Sequence, residues 1–131
     1  MKTINKIILA AAAAFSLAAC RQDPPYEPET GIQGAGILNN GNWGSNDASI
    51  AIYNPTDKTV AAEQFFAANG QRLGDLGQDI LVLGDEIYIA MNGSKVVFVT
   101  DRDLKIKETI EVENAGAKMA PRYLAESDGK I

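Results

Sequence analysis

The chain has 131 residues, 46% hydrophobic and 22% charged, with one cysteine, no histidine and a formal net charge of −5. That length suits one ordinary domain, and the acidic balance argues against a nucleic-acid backbone as partner, since phosphate binding needs clustered Lys and Arg. A lone cysteine excludes an internal disulfide and a cysteine-based zinc site, and the missing histidine removes the Ser–His–Asp triad and histidine-ligated metals.

The first nineteen residues read as an export leader. Lys2 and Lys6 precede an apolar run from Ile7 to Ala14, and Leu17-Ala18-Ala19 supplies small residues before Cys20. A charged start, a short apolar stretch and small residues before the cut define a secretory signal. Leu17-Ala18-Ala19-Cys20 resembles the bacterial lipobox, which implies that Cys20 is diacylated and becomes the mature N-terminus; the alternative is an ordinary leader ending beside a cysteine. Cleavage there leaves 112 residues with a net charge of −7. Acyl chains on Cys20 would hold the protein to a membrane by burying hydrocarbon, at roughly 0.8 kcal/mol per CH₂. Residues 20–35 then form the anchor and a tether, stiffened by Pro24, Pro25 and Pro28.

From residue 36 onward, short apolar runs alternate with turn signals. Strands are predicted at Gly36–Asn39, Ala48–Tyr53, Thr59–Phe66, Ile80–Leu83, Ile87–Met91, Lys95–Val99 and Ile106–Val112. Ala61–Ala68, stopped by Asn69-Gly70, has helix as its alternative. Asn92-Gly93 is the sharpest hairpin signal in the chain. Ile80-Leu81-Val82-Leu83 and Val96-Val97-Phe98-Val99 are apolar at every position, so both faces of those strands should be buried. Ile106, Ile110 and Val112 alternate with polar residues, which predicts a strand with one wet face.

A period accompanies these strands. Asp79–Ile87 is echoed by Tyr123–Ile131 at an offset of 44, and Ala48–Tyr53 by Ser94–Val99 at an offset of 46. Four strands per unit at such spacings match the blades of a β-propeller; a small β-sandwich is the competing architecture. The reading is therefore all-β, the N-terminal part of a propeller with four-stranded antiparallel blades. Blade 1 covers about 36–78, blade 2 about 79–120, and a third begins at 121–131. A propeller needs about 4–8 blades, so the chain reads as part of a longer protein, poorly stable and prone to aggregate by itself.

Ile37–Ser49, with Asn40-Gly41-Asn42-Trp43-Gly44 at its centre, joined by Asn69–Asp75, Met91–Ser94 and Pro121-Arg122-Tyr123, resembles the start of a YncE-like, YVTN-type β-propeller lipoprotein family of Bacteroidetes. The broader group includes cell-surface cobalamin-binding proteins that sit over a TonB-dependent transporter. The resemblance implies an outer-membrane, surface-exposed lipoprotein that captures a corrinoid for such a transporter, is not an enzyme and carries no cofactor.

Blade connectivity gives candidate ligand residues. With Gly36–Asn39 as a second strand, Asn40–Asp47, Ala67–Gln78, Asn92–Ser94 and Glu113–Arg122 emerge on one face. Asn42, Trp43, Asn69, Arg72, Asp75, Asn92, Arg122 and Tyr123 would then share that face or its edge. Amides, an indole, a phenol and two guanidiniums suit a polar ligand with amides and a phosphate. Each has a plainer reading: Trp43 as a packing anchor, the asparagines as turn caps, and Arg72 and Arg122 as ion-pair partners of Asp75 and Asp79. Asp101 and Asp103 lack the remaining ligands of a calcium loop. Two other functions stay open, a propeller hydrolase or lactonase with an acidic metal site and a surface adhesion module.

Overall fold

The computed structural model describes residues 34–131; the leader, Cys20 and the proline-rich tether lie outside the described residues. The chain is mostly β, in antiparallel sheets. β1 (Ala35–Asn39), β2 (Ser49–Asn54) and β3 (Thr59–Ala61) form the first sheet in that order. A short helix, α1 (Gln64–Asn69), follows. β4 (Gly77–Leu83), β5 (Glu86–Met91), β6 (Val96–Thr100) and β7 (Ile106–Glu111) make a four-stranded meander. A small hairpin of β8 (Glu113–Asn114) and β9 (Ala117–Lys118) comes last.

The predicted strand Thr59–Phe66 is only half a strand. β3 stops at Ala61, and the helical alternative takes over from Gln64, ending where the Gly70 N–H donates to the Phe66 carbonyl at 2.8 Å. The reason is packing: one turn of helix drives Phe65 into the space between the sheets, where its ring lies 5.2 Å from that of Phe98. An exposed edge strand there would have left that space empty.

Burial follows position in the sheet. β6 is central, and Val97, Phe98, Val99 and Thr100 are all buried, as the unbroken apolar run predicts. β4 is equally apolar yet forms an edge, so Val82 is exposed and Ile80, Leu81 and Leu83 are only half covered. β7 is wetter than its alternation suggests: Ile106 is half-buried and every residue after it in the strand is exposed.

The two larger sheets pack on each other. Leu38 lies opposite Ile50 and Gly36 opposite Ile52, and this face meets Ile80, Ile87, Ile89, Met91 and Phe98 of the second sheet. β1 lies over β4, where the Gly77 N–H donates to the Asn40 carbonyl at 3.0 Å. Matched as β1 to β5 and β2 to β6, strand order and direction run the same way in both sheets, and they stack front to back. One correction follows for the repeat. Counted from the ends of the connecting loops, Ile50 answers to Val97, not to Val96 as the echo of Ala48–Tyr53 implies. A slip of one residue exchanges the faces of a strand, and only the structural correspondence keeps both sheets facing the same way.

Candidate functional site

Three loops meet at one end of the stacked sheets: 40–48 between β1 and β2, 70–76 before β4, and 92–95 between β5 and β6. Antiparallel pairing puts them there, because β1 and β5 end, and β4 begins, at that end. The turns at 84–85 and 101–105 occupy the opposite end, where Asp101 Oδ1 accepts the N–H groups of Asp103 and Lys105. That carboxylate serves its own turn.

Asp75 ties the three loops together. Its carboxylate accepts the Gly44 N–H, with both oxygens at 3.0 Å, and its carbonyl accepts the N–H groups of Gly93 and Ser94 at 3.1 and 3.2 Å. Its own N–H donates to Ser94 Oγ at 2.8 Å. Gly93 is required here for close approach: a Cβ on it would sit 2.5 Å from Asp75 Oδ2. The left-handed residue of this turn is Lys95, at φ 59°. The Asn92-Gly93 signal thus marks the hairpin correctly, but the four-residue turn uses Gly93 for space and Lys95 for curvature.

The first loop is closed by its own carboxylate. Asp47 Oδ1 accepts the Asn42 N–H at 2.6 Å, and Oδ2 accepts the Asn42 amide at 2.9 Å. The backbone N–H first and the side-chain amide second stabilise the ionised form, holding the Asp47 carboxyl below the usual aspartate range. Gly41, at φ 80°, permits the fold-back, since a Cβ there would meet Ala48 N at 2.6 Å. Trp43 stands at the tip of this tied loop and is 75% exposed, so among the described residues it anchors no packing. Arg72 is exposed on the neighbouring loop and, like Arg122, makes no ion pair among the described residues.

The other expected site residues divide clearly. Asn42, Trp43, Arg72 and Asp75 are brought together. Asn92 belongs to the same end but is buried, its N–H bonded to the Leu76 carbonyl and its amide to the Pro121 carbonyl at 3.1 Å. Asn69 leaves the cluster altogether. Its amide donates to the carbonyls of Phe65 and Leu104, and its oxygen accepts the Ile106 N–H, so it fastens α1 to the start of β7. Asp79 is not a partner of Arg122, because its carboxylate accepts the N–H groups of Ile80 and Leu124. Tyr123 is exposed and lines a shallow apolar cavity of about 470 Å³ on the far face of the second sheet, with Tyr88, Val97 and Ile110.

Two features escaped sequence reasoning. Asp47 and Ser94 hold the loops but looked like ordinary turn residues; only their reach to Asn42 and Asp75 distinguishes them. Among the described residues no three His, Cys, Asp or Glu side chains gather where they could hold a metal. On that far face Glu86 contacts both Lys107 and Tyr88, and Lys107 foremost lowers the Glu86 carboxyl below its ordinary range. The tied end thus offers an exposed indole, amide groups and a guanidinium on a rigid base, which is chemistry for binding. Compared with known proteins, the chain matches no family model and none of the curated proteins.

Proposed function

We propose that this chain is a membrane-anchored, cell-surface β-propeller lipoprotein that binds a corrinoid and assists its uptake through a TonB-dependent outer-membrane transporter. The observation that carries the reading is the loop cluster around Asp75, which presents Trp43 to solvent from a hydrogen-bonded base beside Arg72. An exposed indole on a rigid loop loses little freedom on binding and supplies a large flat contact. Sheets stacked front to back, with the connection between them at the same end as loops 40–48 and 92–95, support the propeller architecture over a sandwich of two facing halves. The lipobox-like Leu17–Cys20 supports the anchor, and the resemblance of Asn40–Gly44 and its companion segments supports the family and ligand.

Binding is tested by isothermal calorimetry of the full chain with cyanocobalamin, alongside Trp43→Ala and Arg72→Ala. Saturable binding, weakened in both variants with unchanged circular dichroism, supports the reading; unchanged affinity in the variants removes the proposed face. Turnover of a lactone, abolished by chelator, would point to the hydrolase instead. The anchor is tested separately by incorporation of labelled palmitate, which Cys20→Ala should abolish.

A further inference from the structure

The chain contains three Asn-Gly pairs: Asn40-Gly41, Asn69-Gly70 and Asn92-Gly93. In such a pair the glycine nitrogen can attack the asparagine side chain, because glycine puts no Cβ in the way and tolerates the backbone angles of the ring that forms. The attack needs two freedoms. The asparagine amide must be able to turn toward the chain, and the glycine N–H must not be committed to an acceptor. The fold grants these freedoms to one pair and withholds them from the other two.

Asn69 has neither freedom. Its side chain is held by Phe65, Leu104 and Ile106, and the Gly70 N–H donates to the Phe66 carbonyl at 2.8 Å. Asn92 is 7% exposed, its amide donates to the Pro121 carbonyl, and the Gly93 N–H donates to the Asp75 carbonyl at 3.1 Å. Either pair can react only after packed, hydrogen-bonded structure opens. Asn40 differs on both counts. It lies exposed just past the end of β1, and among the described residues neither its side-chain amide nor the Gly41 N–H has a hydrogen-bond partner. Its backbone carbonyl, by contrast, accepts the Gly77 N–H at 3.0 Å and so ties the loop that carries Trp43 to the start of β4.

We propose that Asn40 is a site of spontaneous deamidation, set apart from Asn69 and Asn92 by the fold alone. The Gly41 nitrogen gives up its proton to solvent and bonds to Cγ of Asn40. The Cγ–Nδ2 bond breaks, and Nδ2 takes up a proton and leaves as ammonia, which closes a succinimide ring. Water then opens the ring at one of its two carbonyls. Opening at Cγ gives aspartate, and opening at the former backbone carbonyl gives isoaspartate; the net change is water in and ammonia out. Both products add a negative charge to a loop that already carries Asp47. Isoaspartate also lengthens the main chain by one atom and turns the carbonyl that receives the Gly77 N–H into a carboxylate off the main chain, so the tie to β4 is lost. The inference goes beyond the ligand reading and does not depend on it.

The test is ageing of the full chain in mildly alkaline buffer, followed by tryptic peptide mapping with mass spectrometry. Cleavage after Lys58, Arg72 and Lys95 places the three Asn-Gly pairs in three different peptides, so each is counted separately. In the folded chain the Asn40 peptide should exchange amide for acid at least about tenfold faster than the other two. In urea, where the fold protects none of them, all three should convert at similar rates. Equal rates in the folded chain, faster conversion at Asn69 or Asn92, or an Asn40 that stays intact while the unfolded chain converts would each overturn the proposal. Asn40→Gln, which would have to close a larger ring, should remain unconverted when aged alongside. Aged wild type enriched in isoaspartate should then show a shifted Trp43 emission that the variant does not; unchanged emission would overturn the effect on the loop.

Discussion

Phe65 and Phe66 are adjacent, yet the structure gives them opposite consequences. Phe65 is 1% exposed and packs its ring against Phe98 between the two sheets, whereas Phe66 is 48% exposed on the outside of α1. Phe65→Ala removes a buried ring from a wedge that a six-residue helix cannot easily reshape, and such changes cost about 3–5 kcal/mol. For a folded region near 100 residues the unfolding entropy is about 0.2 kcal/mol per degree, so the midpoint should fall by about 15–25 °C. Phe66→Ala should cost under about 1 kcal/mol. Urea and thermal unfolding of both variants, followed by circular dichroism, measures the difference. Equal losses in the two variants would refute the wedge.

Three further outcomes follow from the same contacts. Asn69→Ala removes three half-buried hydrogen bonds, one within α1 to the Phe65 carbonyl and two that tie α1 to Leu104 and Ile106 at the start of β7, and should cost about 2–3 kcal/mol in urea unfolding; a neutral result would mean that α1 docks without that tie. Asp75→Ala should free the Gly44 N–H, lower the fluorescence anisotropy of Trp43 and leave the sheet signal intact; unchanged anisotropy would show that the loop is held otherwise. The Asp47 carboxyl titrates lower folded than unfolded, so its tie to Asn42 contributes fully above the ordinary aspartate value of about 3.9 and is lost as pH falls through the folded value. Trp43 emission should therefore stay constant from neutral pH to about 4 and change only below it, and a transition near neutrality would contradict the assignment.

The strands were legible because their signals are local. Unbroken apolar runs marked the buried β6, and turn residues marked its boundaries. α1 was harder, because Ala61–Ala68 satisfies either period and only the cavity between the sheets decides in favour of helix. The hairpin of β8 and β9 was read as plain loop. Its turn uses Ala115 and Gly116 at φ 50° and 78°, and alanine seldom marks a left-handed position. At the loop cluster, sequence could place Asn42, Trp43, Arg72 and Asp75 at one end by connectivity alone. It could not separate Asn69, whose position depends on a helix turning it toward Leu104, nor identify Asp75 as the hub, since that role rests on contacts with residues 44, 93 and 94.

Trp43 is the only tryptophan in the chain, so the protein carries its own reporter at the proposed binding face. The most direct measurement is a titration of the full chain with cyanocobalamin, read by calorimetry and by Trp43 emission corrected for ligand absorbance. The account predicts saturable heat, with quenching that follows the same isotherm, and an affinity lowered at least about tenfold by Trp43→Ala. Heat without quenching would move the ligand away from these loops, and the absence of both would contradict corrinoid binding by this chain.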